Sequence, residues 1–301
     1  MELASVEKVI GRQLPLTETL IIPIGDLQYG PPECDFERFK RVIEWGVENN
    51  AYYIGMGDMV DFPSPSNRDR LLSAIKSGAF YDSTVDALDL AGEQALDAVQ
   101  KVLEPTKGRW LGLLEGHHYW EFEDGTTSDM RLAQFLKAPF LGTCAAVEVK
   151  FKPGGKTRIH PRCVIWAHHG RLGGKLLSVP INQLEHVLKW FEADVYLLGH
   201  HHKVSAASTS RIYPKFSSRG AANWLEHKDQ KLIATGSFLR GYMEGRGTVI
   251  GRDKKGQEVR RAQGSYVERG MMNPVALGVA KIWLRPRILH GYPKLDISVE
   301  V

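Results

Sequence analysis

Five times along the chain a short apolar run ends in a small or polar residue and then a residue of metal-binding type. The runs are Leu20-Ile21-Ile22-Pro23-Ile24 before Gly25-Asp26, Tyr52-Tyr53-Ile54-Gly55-Met56 before Gly57-Asp58, and Leu111-Gly112-Leu113-Leu114-Glu115 before Gly116-His117-His118. Val164-Ile165-Trp166-Ala167 precedes His168-His169, and Val195-Tyr196-Leu197-Leu198 precedes Gly199-His200-His201-His202. Each run has the length and continuous apolar character of a strand buried on both faces, handing over to a loop at its carboxyl end.

Helical periodicities lie between the runs. Asp35 is placed to cap a helix with Phe36, Phe39, Ile43 and Val47 on its apolar face. Ser83 or Thr84 starts a second helix, carrying Val85, Leu88, Ala91, Ala95, Val99 and Val102. Ser128 opens a shorter helix through Leu132 and Phe135, and Pro180 sits in the first turn of one carrying Leu184, Val187, Leu188 and Phe191. The alternation predicts one α/β domain over residues 1–301 with a largely parallel core. A loop or helical cap is expected near 62–108, where Pro63 and Pro65 interrupt the pattern. A hairpin is expected over 146–166 with Pro153-Gly154-Gly155 as its turn, and a second-sheet part near 205–301.

Composition adds little. The 25% charged and 43% hydrophobic residues are those of an ordinary globular protein, and a net charge of +4 is compatible with a phosphate-rich substrate without requiring one. The three cysteines are isolated, which suggests neither a disulfide framework nor a cysteine zinc site. The apolar runs are too short to span a bilayer and the amino terminus lacks a basic leader, so a cytoplasmic protein is expected.

Loops following parallel strands converge on one crevice beyond the carboxyl ends, and all five polar clusters sit there. A single Asp after a strand is more often a turn or helix cap, and a single His more often a packing residue. Coincidence changes the weighting: seven of the eleven histidines fall in three clusters, each behind an apolar run of strand length. Such a set of carboxylates and imidazoles suits divalent ions of borderline softness.

In order, the motifs are Asp26-Leu27-Gln28, Gly57-Asp58-Met59-Val60-Asp61, Gly116-His117-His118-Tyr119, His168, and Gly199-His200-His201-His202, followed by the Thr235-Gly236-Ser237 turn. The series, over roughly residues 18 to 240, resembles that of the calcineurin-like metallophosphoesterases, which carry D-x-H, G-D-x-x-D, G-N-H-[DE], a strand-terminal H, and G-H-x-H. The resemblance implies two mixed β-sheets packed as a sandwich and flanked by helices in four layers. It also implies a pair of divalent ions, with manganese first and zinc, iron or cobalt as alternatives. One ion would be held by Asp26, Gln28, Asp58 and His202, the other by Asp58 as a bridge with His117, His168 and His200. A bridging hydroxide would attack the phosphoester, between ions roughly 3.5 to 4 Å apart. His118 would act as acid or transition-state stabiliser. Asp61 would fix the tautomer of a ligand histidine or serve as a helix cap.

Three positions depart from the family pattern. Gln28 stands where a histidine is usual, which weakens that ligand, and His117 replaces an asparagine, which favours softer ions. Tyr119 replaces the acid that normally orients the catalytic histidine, leaving Glu121, Glu123 or Asp124 as candidates for that support.

The family includes protein phosphatases, nucleotide phosphodiesterases and nucleases. Phe62 stands where the protein phosphatases have an arginine after the second-motif aspartate, which argues against that branch. Basic stretches at Lys152, Lys156, Arg158 and Arg162, at Arg171 and Lys175, and from Arg240 to Arg261 suggest a phosphodiester substrate such as DNA or a nucleotide. Arg171 and Tyr119 are expected to touch it, and Tyr119, Trp120 and Phe122 to stack a base. A small-molecule phosphomonoesterase is the alternative enzyme and a non-catalytic scaffold the alternative of another class. A homodimer is compatible with this sequence.

Overall fold

The computed structural model describes residues 8–152, 160–171, 173–216, 223–242, 248–252, 254–262, 266–269, 271–290 and 292–301. The elements run β1 (Val9–Pro15), β2 (Thr19–Ile24), α1 (Phe36–Glu48), β3 (Tyr52–Gly55), α2 (Pro65–Lys76), α3 (Asp82–Leu103), β4 (Trp110–Leu113), α4 (Ser128–Phe135), β5 (Cys144–Lys152), β6 (Arg162–His168), α5 (Val179–Val187) and β7 (Val195–Leu198). They continue with β8 (Val204–Lys215), β9 (Trp224–Ser237), β10 (Thr248–Arg252), β11 (Glu258–Ala262), β12 (Gly278–Val279), β13 (Lys281–Leu289) and β14 (Tyr292–Glu300). All five apolar runs are strands, namely β2, β3, β4, β6 and β7.

Those five do not share a sheet. One mixed sheet has the order β14-β13-β2-β3-β4, with β2, β3 and β4 mutually parallel. The other has the order β1-β5-β6-β7-β9-β12 with β8 on β9, and β6, β7 and β9 are mutually parallel within it. The described residues beyond 205 are therefore mostly shared between these two sheets. β8, β9 and β12 extend the sheet of β7, whereas β13 and β14 extend that of β2, and only the β10–β11 ribbon stands apart. Sequence pattern reveals strands and not their partners, because pairing is decided by which faces become buried.

Alternation along the strands divides the core. Ile21, Ile54, Leu111, Ile282 and Leu284 from one sheet meet Val147, Val149, Cys163, Ile165, Val195, Leu197 and Ile233 from the other. The opposite faces of β2, β3 and β4 pack on α1, α3 and α4 through Ile22, Phe39, Ile43, Val99, Leu103 and Leu132. Trp166, Tyr196 and Leu198 of the second sheet pack on α5 through Leu184. The result is a mixed α/β structure with two sheets between helical layers.

Local signals explain the helices. Asp35 caps α1, accepting from the Arg38 amide at 3.1 Å, and a proline occupies the first turn of α5. The segment expected as a cap is helical, but α3 buries Leu96, Val99 and Leu103 under the sheet, so it is part of the core layer. The 146–166 hairpin is present as antiparallel β5 and β6; its Pro153-Gly154-Gly155 turn lies outside the described residues. β1, which carries no alternating signal, was not anticipated. Among the described residues no helix is long and apolar enough to cross a membrane.

Candidate metal site

The loops after β2, β3 and β4 meet those after β6 and β7 where the two sheets abut, so the site takes residues from both. Asp58, His117, His169 and His200 each present a ligand atom within 4.8 Å of the others, a group that can hold a metal ion. Asp58 Oδ1 accepts from the backbone amides of His117 and of His118 (2.8 Å), and Oδ2 lies 3.2 Å from His169 Nε2. The three imidazoles stand edge to face, with His117 Nδ1 and His200 Nδ1 only 3.2 Å apart.

Beside this group lies a second. His202 Nε2 is 3.5 Å from Asp26 Oδ1 and 3.4 Å from the Gln28 amide, and Asp26 Oδ2 accepts from the His200 backbone at 2.8 Å. Ser237 Oγ and the Phe238 amide both donate to the Asp26 carbonyl at 3.1 Å, so the turn after β9 holds the β2 loop in place.

The backbone is unusual here. Of nine non-glycine residues in the left-handed region among the described residues, five are Asp26, Gln28, Asp58, His200 and His202. Each such residue costs about 1 kcal/mol or more, and positions of this kind persist where surrounding structure imposes them, commonly at functional sites. Gly116 has no freedom to change, because a Cβ there would collide with the Asp58 carboxylate and amide.

Burial sets the protonation pattern. Desolvation pushes Asp26 up to about 7, against the pull of His169. Asp58 is driven the other way: burial would raise it, but His169 and the amides around it hold it well below the carboxylate range. Burial disfavours the charge on His169, yet Asp58 and Asp26 outweigh it and raise that imidazole to about 10. Burial and the His169 charge lower His117 to about 4 and His200 to about 3, and burial lowers His202 to about 4. These residues by themselves thus form a buried ion pair, Asp58 with His169, among neutral imidazoles whose lone pairs are available.

Asp26 Oδ1 is buried without a hydrogen bond, and Asp58 Oδ2 and His169 Nε2 have only each other. A buried carboxylate oxygen left unsatisfied is costly, and beside neutral imidazoles a cation would relieve it.

One expected ligand is replaced. The family resemblance puts His168 in the group and His169 outside it; the structure reverses them. Cys163, Ile165 and Ala167 of β6 face the inter-sheet core, and His169 continues that parity, donating Nδ1–H to the Met56 carbonyl at 2.6 Å. His168 follows Val164 and Trp166 to the α5 side, where it lies against Trp166 and accepts from the Gly170 amide. His169→Ala is accordingly expected to weaken binding of a divalent ion at least roughly tenfold, while His168→Ala changes it by less than about twofold. Competition with a chromophoric chelator measures both, and equal effects would undo the assignment.

Asp61 approaches His118 and not a ligand histidine. His118 donates Nδ1–H to Asp61 Oδ1 at 2.8 Å and to the Phe62 carbonyl at 3.0 Å; burial opposes its charge, but Asp61 prevails and raises it. The support sought from Glu121, Glu123 or Asp124 thus comes from Asp61, and Asp124 is engaged by Thr126 and Arg131.

The aromatic residues behind the third motif do not form a stacking platform. Trp120 and Phe122 are 2% and 3% exposed, and the half-buried Tyr119 has the Arg68 guanidinium 3.6 Å over its ring. Arg171 is exposed, two residues beyond His169. Of the basic stretches, Arg162 pairs with Glu148 and Arg240 with Asp35; Lys156, Arg158 and Arg246 lie outside the described residues.

Two residues went unnoticed in the sequence. Asp129 on α4, buried and raised to about 7 by desolvation, accepts from the Gly116 amide at 2.9 Å. An acid in the first helical turn is common and carries no signal of this role. Arg68 on α2 donates to carbonyls of the 117–119 turn. The sequence matches no family model, and no curated protein matches it either.

Proposed function

We propose that this protein is a metal-dependent phosphoester hydrolase of the calcineurin-like type, with a phosphodiester, such as DNA or a nucleotide, as the favoured substrate. The observation that carries the reading is the convergence of Asp26, Asp58, His117, His169, His200 and His202 from two sheets beside a His118–Asp61 pair. The layered sheets and the order of the motifs along the chain support the same fold assignment.

Asp58, His117, His169 and His200 would hold one ion; Asp26, Gln28 and His202, with Asp58 between, would hold a second. Divalent ions so placed polarise a phosphoryl oxygen and lower the pKa of water. The remaining work belongs to the chain. Asp61 fixes the His118 tautomer with Nδ1–H inward, which leaves Nε2 to meet the phosphate or deliver a proton to the leaving oxygen. Burial of Asp26 and Asp58 keeps bulk water from screening the charges that act on the substrate.

The test is a parallel assay of manganese-loaded protein on a bis-aryl phosphodiester, an aryl phosphomonoester, and single- and double-stranded DNA. Turnover of the diester well above the monoester is expected, and no metal-dependent hydrolysis of any of them would refute the reading.

Ion binding must expel the proton on His169, whose pKa of about 10 keeps it protonated at neutral pH. Protons compete with the cation, so affinity should rise with pH, by roughly tenfold per unit for one displaced proton. Calorimetry at pH 7 in two buffers of different ionisation enthalpy should show about one proton or more released per protein. No release would place the ion elsewhere.

A further inference from the structure

Beyond the ligands and the His118–Asp61 pair, we infer that Arg68 is a positioning residue that sets the geometry of His117 and His118 from outside the site. The inference rests on the hydrolase reading for its consequence in turnover and on the geometry alone for the rest.

Arg68 lies on α2 and is 4% exposed. Its Nη1 donates to the carbonyls of His117 at 2.9 Å and Tyr119 at 3.1 Å, with Pro63 O at 3.4 Å, while its guanidinium plane covers the Tyr119 ring. Among the described residues no carboxylate closes on it at ion-pair distance. A buried cation satisfied by backbone carbonyls is an expensive way to fill space and is retained where those carbonyls need fixing.

The turn it holds is the one that carries both histidines. The amides of His117 and His118 are taken by Asp58, and the Gly116 amide by Asp129. On the carbonyl side, Phe62 N–H donates to His118 O at 3.0 Å, and Arg68 takes the two flanking carbonyls. Every backbone group of residues 117 and 118 thus has a partner, and Arg68 reaches the carbonyls on both sides of His118. Arginine suits this role, because one planar donor group can serve two carbonyls while stacking on a ring; a lysine is a point donor.

The experiment compares Arg68→Met and Arg68→Lys with the parent, without metal and with manganese. In the metal-free protein, amide hydrogen exchange at His117 and His118 is expected to be at least tenfold faster in Arg68→Met, with α1 and α3 amides unchanged, and intermediate in Arg68→Lys. With a bis-aryl phosphodiester, kcat should fall at least tenfold in Arg68→Met while KM stays within about twofold, and Arg68→Lys should recover part of kcat. Parent-like exchange at both amides in folded Arg68→Met overturns the inference, as does parent-like exchange in Arg68→Lys if Arg68→Met does not fold. The exchange arm needs neither metal nor substrate, so a chain that hydrolyses nothing would refute the function while leaving this result intact.

Discussion

Asp58→Asn is expected to weaken ion binding by at least about a hundredfold and to lower diester turnover by at least a thousandfold. Its carboxylate touches three parts of the site: Oδ1 gathers the amides of His117 and His118, and Oδ2 faces His169. An amide in its place supplies one acceptor and no charge, and its NH2 would point either at those amides or at an ion. Stability should fall too. Asp58 and His169 are 1% and 2% exposed in their side chains, and breaking such a pair costs about 3 kcal/mol or more, less what His169 recovers by giving up its proton.

The sign of the pH effect follows from the two shifts. The depressed carboxyl of Asp58 contributes stability above its unfolded pKa, near 4, and loses it only in strong acid. The raised imidazole of His169 contributes below its unfolded pKa, near 6.5, and loses it as pH climbs through about 10. Denaturant unfolding of metal-free parent and Asp58→Asn should therefore differ most between about pH 5 and 6.5, with the gap narrowing as pH approaches 10. A gap independent of pH, or two ions retained by Asp58→Asn, would show that the carboxylate does not centre the site.

His118→Asn should behave differently, leaving ion content intact while lowering turnover by roughly a hundred- to ten-thousandfold, the scale for removing a positioned proton donor. A p-nitrophenolate leaving group needs little protonation and should partly restore the rate if His118 acts as an acid. Asp61→Asn is expected to lower turnover less and to move the alkaline fall of the pH–rate profile to lower pH. Asp61 raises the His118 pKa, and without it the imidazole loses its proton sooner. Loss of bound metal in His118→Asn, or an alkaline limb in Asp61→Asn at the parent's position, would assign the pair another role.

The five strands and the polar residues behind them were legible in the chain, because a strand buried on both faces is a continuous apolar run and its exit is marked by Gly, Asp and His. So was the gathering of Asp26, Asp58, His117 or His118, His200 and His202, since strand ends converge, whereas Gln28 and the choice of His117 as ligand came only from the family resemblance. What those runs conceal is facing. With both sides of β6 apolar, nothing in Val164-Ile165-Trp166-Ala167 says whether His168 or His169 continues toward the other sheet, and only the packing of Cys163, Ile165 and Ala167 between the sheets decides for His169. Tertiary structure likewise chose Asp61 over nearer acids as the partner of His118, buried Trp120 and Phe122 that were expected to stack a base, and brought Arg68 and Asp129 to the 116–119 turn. These contacts join residues far apart in the chain, or side chains whose local position has an ordinary explanation. Pattern along a sequence records which groups avoid water, whereas which groups meet is settled by the layers they avoid it between.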